Sequence, residues 1–193
     1  MRSLLAALVV GLLAPAAHAQ IIPQLSFGVA GGANFASLSD VAGADLDNTT
    51  GFHAGVYVDF SALMLAVRTG AFYLRAGEVQ QTGQAEPTSA DFLTIPVEVH
   101  VTTPTPVVRG YALLGPEFRF PIGESGTLVD TRSVNVAANI GAGAKFKMPV
   151  TGFSGFGEVR YALDLTGFAE NTVLTTDNTY KLNLFMVRVG VGL

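Results

Sequence analysis

Cysteine is absent, and so is tryptophan. Without cysteine the chain forms no disulfide, no thiolate zinc site and no lipid-modified N-terminal cysteine. Charge is scarce as well. Asp, Glu, Lys and Arg make up 13% of the 193 residues, against about 25% in an ordinary soluble domain. The charge present does not favour nucleic acid, because 15 acidic residues face 11 basic ones and no basic patch stands out. Long apolar runs are also missing. Beyond the first twenty residues nothing approaches the ~20 apolar residues of a membrane-crossing helix. Yet 49% of the chain is hydrophobic.

The first residues, "MRSLLAALVVGLLAPAAHAQ", explain part of that excess. Arg2 gives a positive start, Leu4 to Leu13 is apolar, Pro15 follows, and Ala17-His18-Ala19 has the small-x-small pattern. This is the order of a secretory signal peptide, with cleavage expected after Ala19. Residues 1–19 are therefore read as a signal peptide and residues 20–193 as one domain. An exported chain, apolar and poor in charge, without spanning helices, points to a closed β-barrel whose outer face meets lipid.

Alternation supports this. In "DFLTIPVEVHV", Leu93, Ile95, Val97, Val99 and Val101 share one face, and Thr94, Pro96, Glu98 and His100 the other. A period of two is a strand. Eight such segments are expected, at about 24–35, 51–60, 63–74, 91–101, 107–120, 133–147, 153–164 and 180–193. Their connections alternate long and short, which is the rule of outer-membrane barrels with short periplasmic turns and long external loops. The expected fold is all-β: an eight-stranded antiparallel up-and-down transmembrane barrel.

The apolar faces carry no charge in their central parts. The charges fall on the other face: Asp59, Arg68, Glu98, Arg109, Glu117, Arg119, Lys145, Lys147, Glu158, Arg160, Asp164 and Arg188. An eight-stranded barrel has a bore just wide enough for side chains to fill. Glycine and alanine at the remaining inward positions leave room for long charged chains, and buried charges must pair. Asp59, Arg68, Glu98, His100, Glu117, Arg119, Lys145, Glu158, Arg160 and Arg188 are therefore expected to form a lumen charge network, as scaffold or as the lining of a path. Phe35, Phe52, Phe60, Tyr73, Phe120, Phe146 and Tyr161 are expected at the membrane interfaces. Pro96 and Pro116 conflict with a closed ladder, since proline donates no hydrogen bond, and each needs a bulge or an unpaired donor position.

Several of these segments resemble the PorT-like outer-membrane β-barrel domain family. "FGVAGGANFASL" is similar to the family's first strand and "GFHAGVYVDF" to its second. "FLTIPVEVHV" resembles its Tyr-Leu-x-Ile-Pro pattern, "GYALLGPEF" its Tyr-x-x-x-Gly-Pro segment, and "GEVRYALDL" its Glu-x-Arg-Tyr strand. The resemblance spans the mature chain and implies an eight-stranded outer-membrane barrel. It implies little about activity. Leu193 departs from the aromatic last residue common in such barrels.

Sites of chemistry are few. After the signal peptide only His53 and His100 remain. Glu98 and His100 form a conceivable ligand pair, but a histidine within the polar network is the simpler reading. Thr102 stands where a rim serine serves in lipid-modifying barrels, a weak basis for an enzyme. Asp40, Asp45 and Asp47 fit no EF-hand spacing. No catalytic residue, metal or cofactor is expected. The partners expected are outer-membrane lipid, the outer-membrane assembly machinery and other envelope proteins, with no nucleic acid, for a monomeric barrel. Three functions stay open: a structural or interaction protein of the outer membrane, a narrow pore for ions or small solutes, and a soluble ligand-binding barrel with its faces reversed.

Overall fold

A computed structural model describes residues 23–39, 49–79, 88–105, 107–122, 130–131, 133–147, 152–167, 169–170 and 179–193. The expected signal peptide and the Asp40–Asp47 cluster lie outside the described residues. The elements are β1 (Gln24–Ser39), β2 (Thr49–Ala62), β3 (Leu65–Val79), β4 (Thr88–Thr102), β5 (Val108–Pro121), β6 (Asp130–Thr131), β7 (Asn135–Lys147), β8 (Ser154–Asp164), β9 (Ala169–Glu170) and β10 (Thr179–Gly192). Eight of them form the wall in the order β1-β2-β3-β4-β5-β7-β8-β10. The wall closes because β10 pairs antiparallel with β1, from Gly28↔Gly192 to Ser39↔Lys181. Closure leaves the eight-stranded wall without a free edge, the condition for placing strands in lipid. The two-residue strands β6 and β9 extend the long-loop end by pairing β9 with both β10 and β6.

Several strands run further than the apolar alternation alone suggests. Residues 36–39, 75–79 and 88–90, assigned above to loops, continue β1, β3 and β4. Cross-strand pairing carries these polar segments beyond the apolar belt. The end of β3 contains a register shift in the β3–β4 ladder, between Arg75 and Glu78. Gly77 sits inside it with φ 113°, a conformation that disfavours any side chain and suits a bulge.

The prolines are accommodated without a bulge. Between β3 and β4 the ladder is interrupted between Thr69↔Val97 and Phe72↔Thr94, which frame Pro96. Between β4 and β5 it is interrupted between Pro96↔Glu117 and Val99↔Leu114, which frame Pro116. The register on either side is unchanged. Pro96 and Pro116 thus share one local opening of the wall, and of the two solutions open above it is the unpaired donor position that is used.

Alternation sorts the faces. Val29, Val56, Val99, Leu114, Ile140, Val159 and Val189 are exposed on the outside. The aromatics Phe35, Phe52, Phe60, Phe146 and Tyr161 are outward as well, and Phe35 packs on Phe185 with ring centroids 6.1 Å apart. Inside, small residues oppose large rings. A Cβ on Gly190 would stand 2.3 Å from the Phe156 ring, and one on Gly143 would stand 2.6 Å from Tyr111. These two glycines are the space in which the rings lie. Toward the long-loop end the bore is filled by Leu74, Phe92, Leu182, Leu184 and Met186 with Ala36, Ala137 and Ala162.

Candidate functional site: the lumen charge network

The inward positions of six strands bring the charged side chains together. Asp59 comes from β2, Arg68 from β3, Glu98 and His100 from β4, Glu117 and Arg119 from β5, Glu158 and Arg160 from β8, and Arg188 from β10. Cross-strand register places them in order: Asp59 opposes Arg68, Arg68 opposes Glu98, and Glu158 opposes Arg188. All nine are buried.

Arg160 is the hub. Its guanidinium donates to both carboxylate oxygens of Glu98 and to Glu158 Oε1. Arg68 forms a bidentate pair with Asp59, Nε to Oδ1 at 2.6 Å and Nη2 to Oδ2 at 3.0 Å, and its Nη1 donates to Glu158 Oε2 at 3.0 Å. Glu158 therefore bridges two arginines, and it also accepts from the Tyr111 hydroxyl at 2.6 Å. Arg119 Nε donates to Glu117 Oε1 at 2.8 Å, and its Nη1 to the Leu182 carbonyl at 2.9 Å. Asn139 Nδ2 ties the two halves by donating to Glu98 Oε1 at 2.9 Å and to Glu117 Oε2 at 3.1 Å. His100 Nε2 lies 3.4 Å from Glu98 Oε2, and its ring stacks on Tyr111 at 4.9 Å. Arg188 donates from Nε to His53 Nε2 at 3.0 Å.

Four arginines and four carboxylates thus share the bore. Charge-assisted and bidentate bonds are the strongest available to these groups, and only such pairing offsets the cost of taking ions out of water. Rings add to this. The Arg68 guanidinium lies 4.0 Å from the Phe156 centroid and 4.8 Å from Tyr57, and that of Arg188 lies 4.1 Å from Phe72, within the range of cation–π attraction.

The remaining charges lie nearer the two ends of the bore, and of these Lys145 joins the network. Lys145 is partly exposed and reaches Asp59 Oδ2 at 3.0 Å, at the short-turn margin. Arg109 and Lys147, counted with the inward charges above, are exposed at the mouth and outside the network. They occupy the start of β5 and the end of β7, where the bore opens. Asp164 is buried but ties strand ends together: it accepts from Asn135 Nδ2 at 2.7 Å and from the backbone N–H groups of Gly167 and Leu182 at 2.8 and 2.9 Å. His53, Tyr111 and Asn139 join the network without having been singled out as members. Each sits on an inward pleat of a strand, and that position was the available signal. Among the described residues no group of three or more His, Cys, Asp or Glu is placed to hold a metal ion.

A closed eight-stranded wall, an apolar exterior and a charge-filled bore define an outer-membrane type of barrel. The chain belongs to the outer membrane protein β-barrel domain family, whose model matches residues 4–192, and its location is the outer membrane. No curated protein matches the chain. Among solved structures it is similar to Neisserial surface protein A, with 17% identity and a TM-score of 0.56 over 86% of this chain and 96% of that one. Ail of Yersinia pestis, solved with the heparin analogue sucrose octasulfate, matches at 17% identity and TM-score 0.47, over 88% and 99% of the two chains. The N-terminal β-barrel domain of OprF from Pseudomonas aeruginosa matches at 16% and 0.43, over 89% and 99%. The first of these supports the fold, and at this identity the fold alone.

Proposed function

We propose that this protein is a structural or interaction barrel of the outer membrane, with a closed bore and with its working surface in the loops and rims. The observation that carries this reading is the packing of the bore. A charge-balanced layer centred on Arg160 is followed, toward the long-loop end, by Leu74, Phe92, Leu182, Leu184 and Met186, all at most 3% exposed. A conducting path needs a continuous polar lining, and an apolar constriction of this kind resists ions by excluding water. Export under a signal peptide of residues 1–19 is part of the reading. So is membership of the PorT-like branch, supported by "LTIP" and "GPEF", whose prolines share one opening of the wall. The reading is non-enzymatic: Glu98 and His100 are both buried in the network, and the Thr102 hydroxyl is engaged with the Met64 carbonyl at 3.1 Å.

Conductance separates this reading from the narrow pore. Purified protein in planar bilayers is expected to give no discrete current steps in molar KCl. Steps that shrink when Glu117 or Arg119 is replaced would establish the pore instead.

A further inference from the structure

The charge balance that holds in the middle of the bore fails at one end of it. Arg109 on β5 and Lys145 on β7 are directly opposed in register, an arrangement that like charges disfavour. Lys147 follows one pleat on and is exposed. Lys145 turns to Asp59, but Asp59 is already held by two nitrogens of Arg68. Arg109 is exposed, and its Nε donates to the Thr105 carbonyl at 3.1 Å. Among the described residues no carboxylate lies within ion-pair distance of Arg109 or Lys147. The connections at this end are short, two residues from β2 to β3, five from β4 to β5 and six from β7 to β8, so it is the periplasmic end, level with the inner leaflet's headgroups.

The same end carries an apolar surface, and Lys147 leads to it. Lys147 pairs with Ser154 across the β7–β8 hairpin, and Phe153 precedes Ser154. Phe153 is one wall of a groove of about 410 Å³ on the outer face, lined also by Phe27, Val56, Val191 and Leu193. Outside the cations, Val108 opposes Phe146, and both are exposed. Exposed cations at the membrane's edge, with an apolar groove reached from Lys147 by way of Phe153, match the two ends of one molecule: a phosphodiester and its acyl chain.

We propose that the periplasmic rim formed by Arg109, Lys145 and Lys147 binds the headgroup phosphate of an anionic phospholipid of the inner leaflet, with an acyl chain in the groove beneath Phe153. Arginine and lysine are the common donors to phosphate oxygens, and basic residues at a membrane surface favour anionic lipid. The site is independent of whether the bore conducts.

The test is lipid retention by native mass spectrometry. The full barrel in detergent is offered equimolar dioleoyl-phosphatidylglycerol and dioleoyl-phosphatidylcholine. The wild type is expected to retain phosphatidylglycerol with a preference on the order of tenfold. The double variant Arg109→Ala/Lys147→Ala should lose that preference while still showing a boiling-dependent gel shift, and Lys147→Arg should keep it. Phe153→Ser should lower retention of both lipids. Equal retention of the two lipids by the wild type, or an unchanged preference in the double variant, would overturn the proposal. Displacement of the lipid by inorganic phosphate, but not by chloride of equal ionic strength, would also overturn it and mark a site for a free anion.

Discussion

Replacing Arg160 by methionine should destabilise the barrel by about 3–5 kcal/mol, the cost of breaking a buried pair by removing one partner. Arg160 is fully buried and is bonded to both Glu98 and Glu158. Methionine restores part of the volume but leaves two carboxylates without their main counter-charge. Arg68 still reaches Glu158, and Asn139 still reaches Glu98, so the loss falls most heavily on Glu98. Adding Glu98→Gln to Arg160→Met should therefore recover part of the loss, since the pair is removed together and Asn139 can still donate to the amide oxygen. The readout is the urea midpoint for loss of the fast-migrating, unboiled band in gels of the reconstituted protein. A change below about 1 kcal/mol, typical of exposed ion pairs, would mean that water reaches this layer freely.

The second large effect is expected on the opposite face. Ile140 sits near the middle of β7 and is 54% exposed. In a water-soluble barrel, Ile140→Arg would be an unremarkable surface change, within about 0.5 kcal/mol of neutral. Against hydrocarbon at the bilayer midplane, arginine costs about 2–4 kcal/mol. Ile140 is partnered across β7 and β8 by Tyr161 and across β5 and β7 by Leu114; their side chains share the outward face and offer no carboxylate. The same substitution at Phe146, nearer the short-turn interface, should cost about 0–1 kcal/mol, because the penalty falls toward the headgroups. Folding yield into phosphatidylcholine vesicles and the urea midpoint both report it. Equal tolerance at 140 and 146 would remove the lipid assignment of this face.

Much of the wall was legible in the chain because side-chain direction in a strand has a period of two and lipid demands uniform apolarity of one face. Leu93 to Val101 show this in nine residues. The inward position of Arg68, Glu98, Glu117, Arg119, Glu158, Arg160 and Arg188 followed from the same alternation. Their partners did not. Which arginine meets which carboxylate depends on register between strands far apart in sequence, such as Arg68 on Glu158 and Arg160 on Glu98. A single strand carries no record of that register. Strand ends were misjudged for a related reason. Beyond the apolar belt, pairing alone extends β3 and β4 through polar residues, so the alternation that marks a membrane strand fades before the strand does. Arg109 and Lys147 share the inward parity, but parity says nothing of depth, and at the mouth an inward side chain meets water.

The most direct test of the account is thiol accessibility along β10. The natural chain has no cysteine, so each introduced thiol reports alone. Single cysteines are placed at Leu184 and Met186, which are buried, and at Phe185 and Val187, which are exposed on the outer face. The protein is reconstituted into vesicles and treated with a charged, water-soluble maleimide or with a lipid-soluble one. Positions 185 and 187 should react with the lipid-soluble reagent and resist the charged one, and positions 184 and 186 should resist both. Reaction of 184 and 186 with the charged reagent would reveal an open aqueous bore and contradict the closed barrel described here. Reaction of 185 and 187 with it would contradict the assignment of that face to lipid.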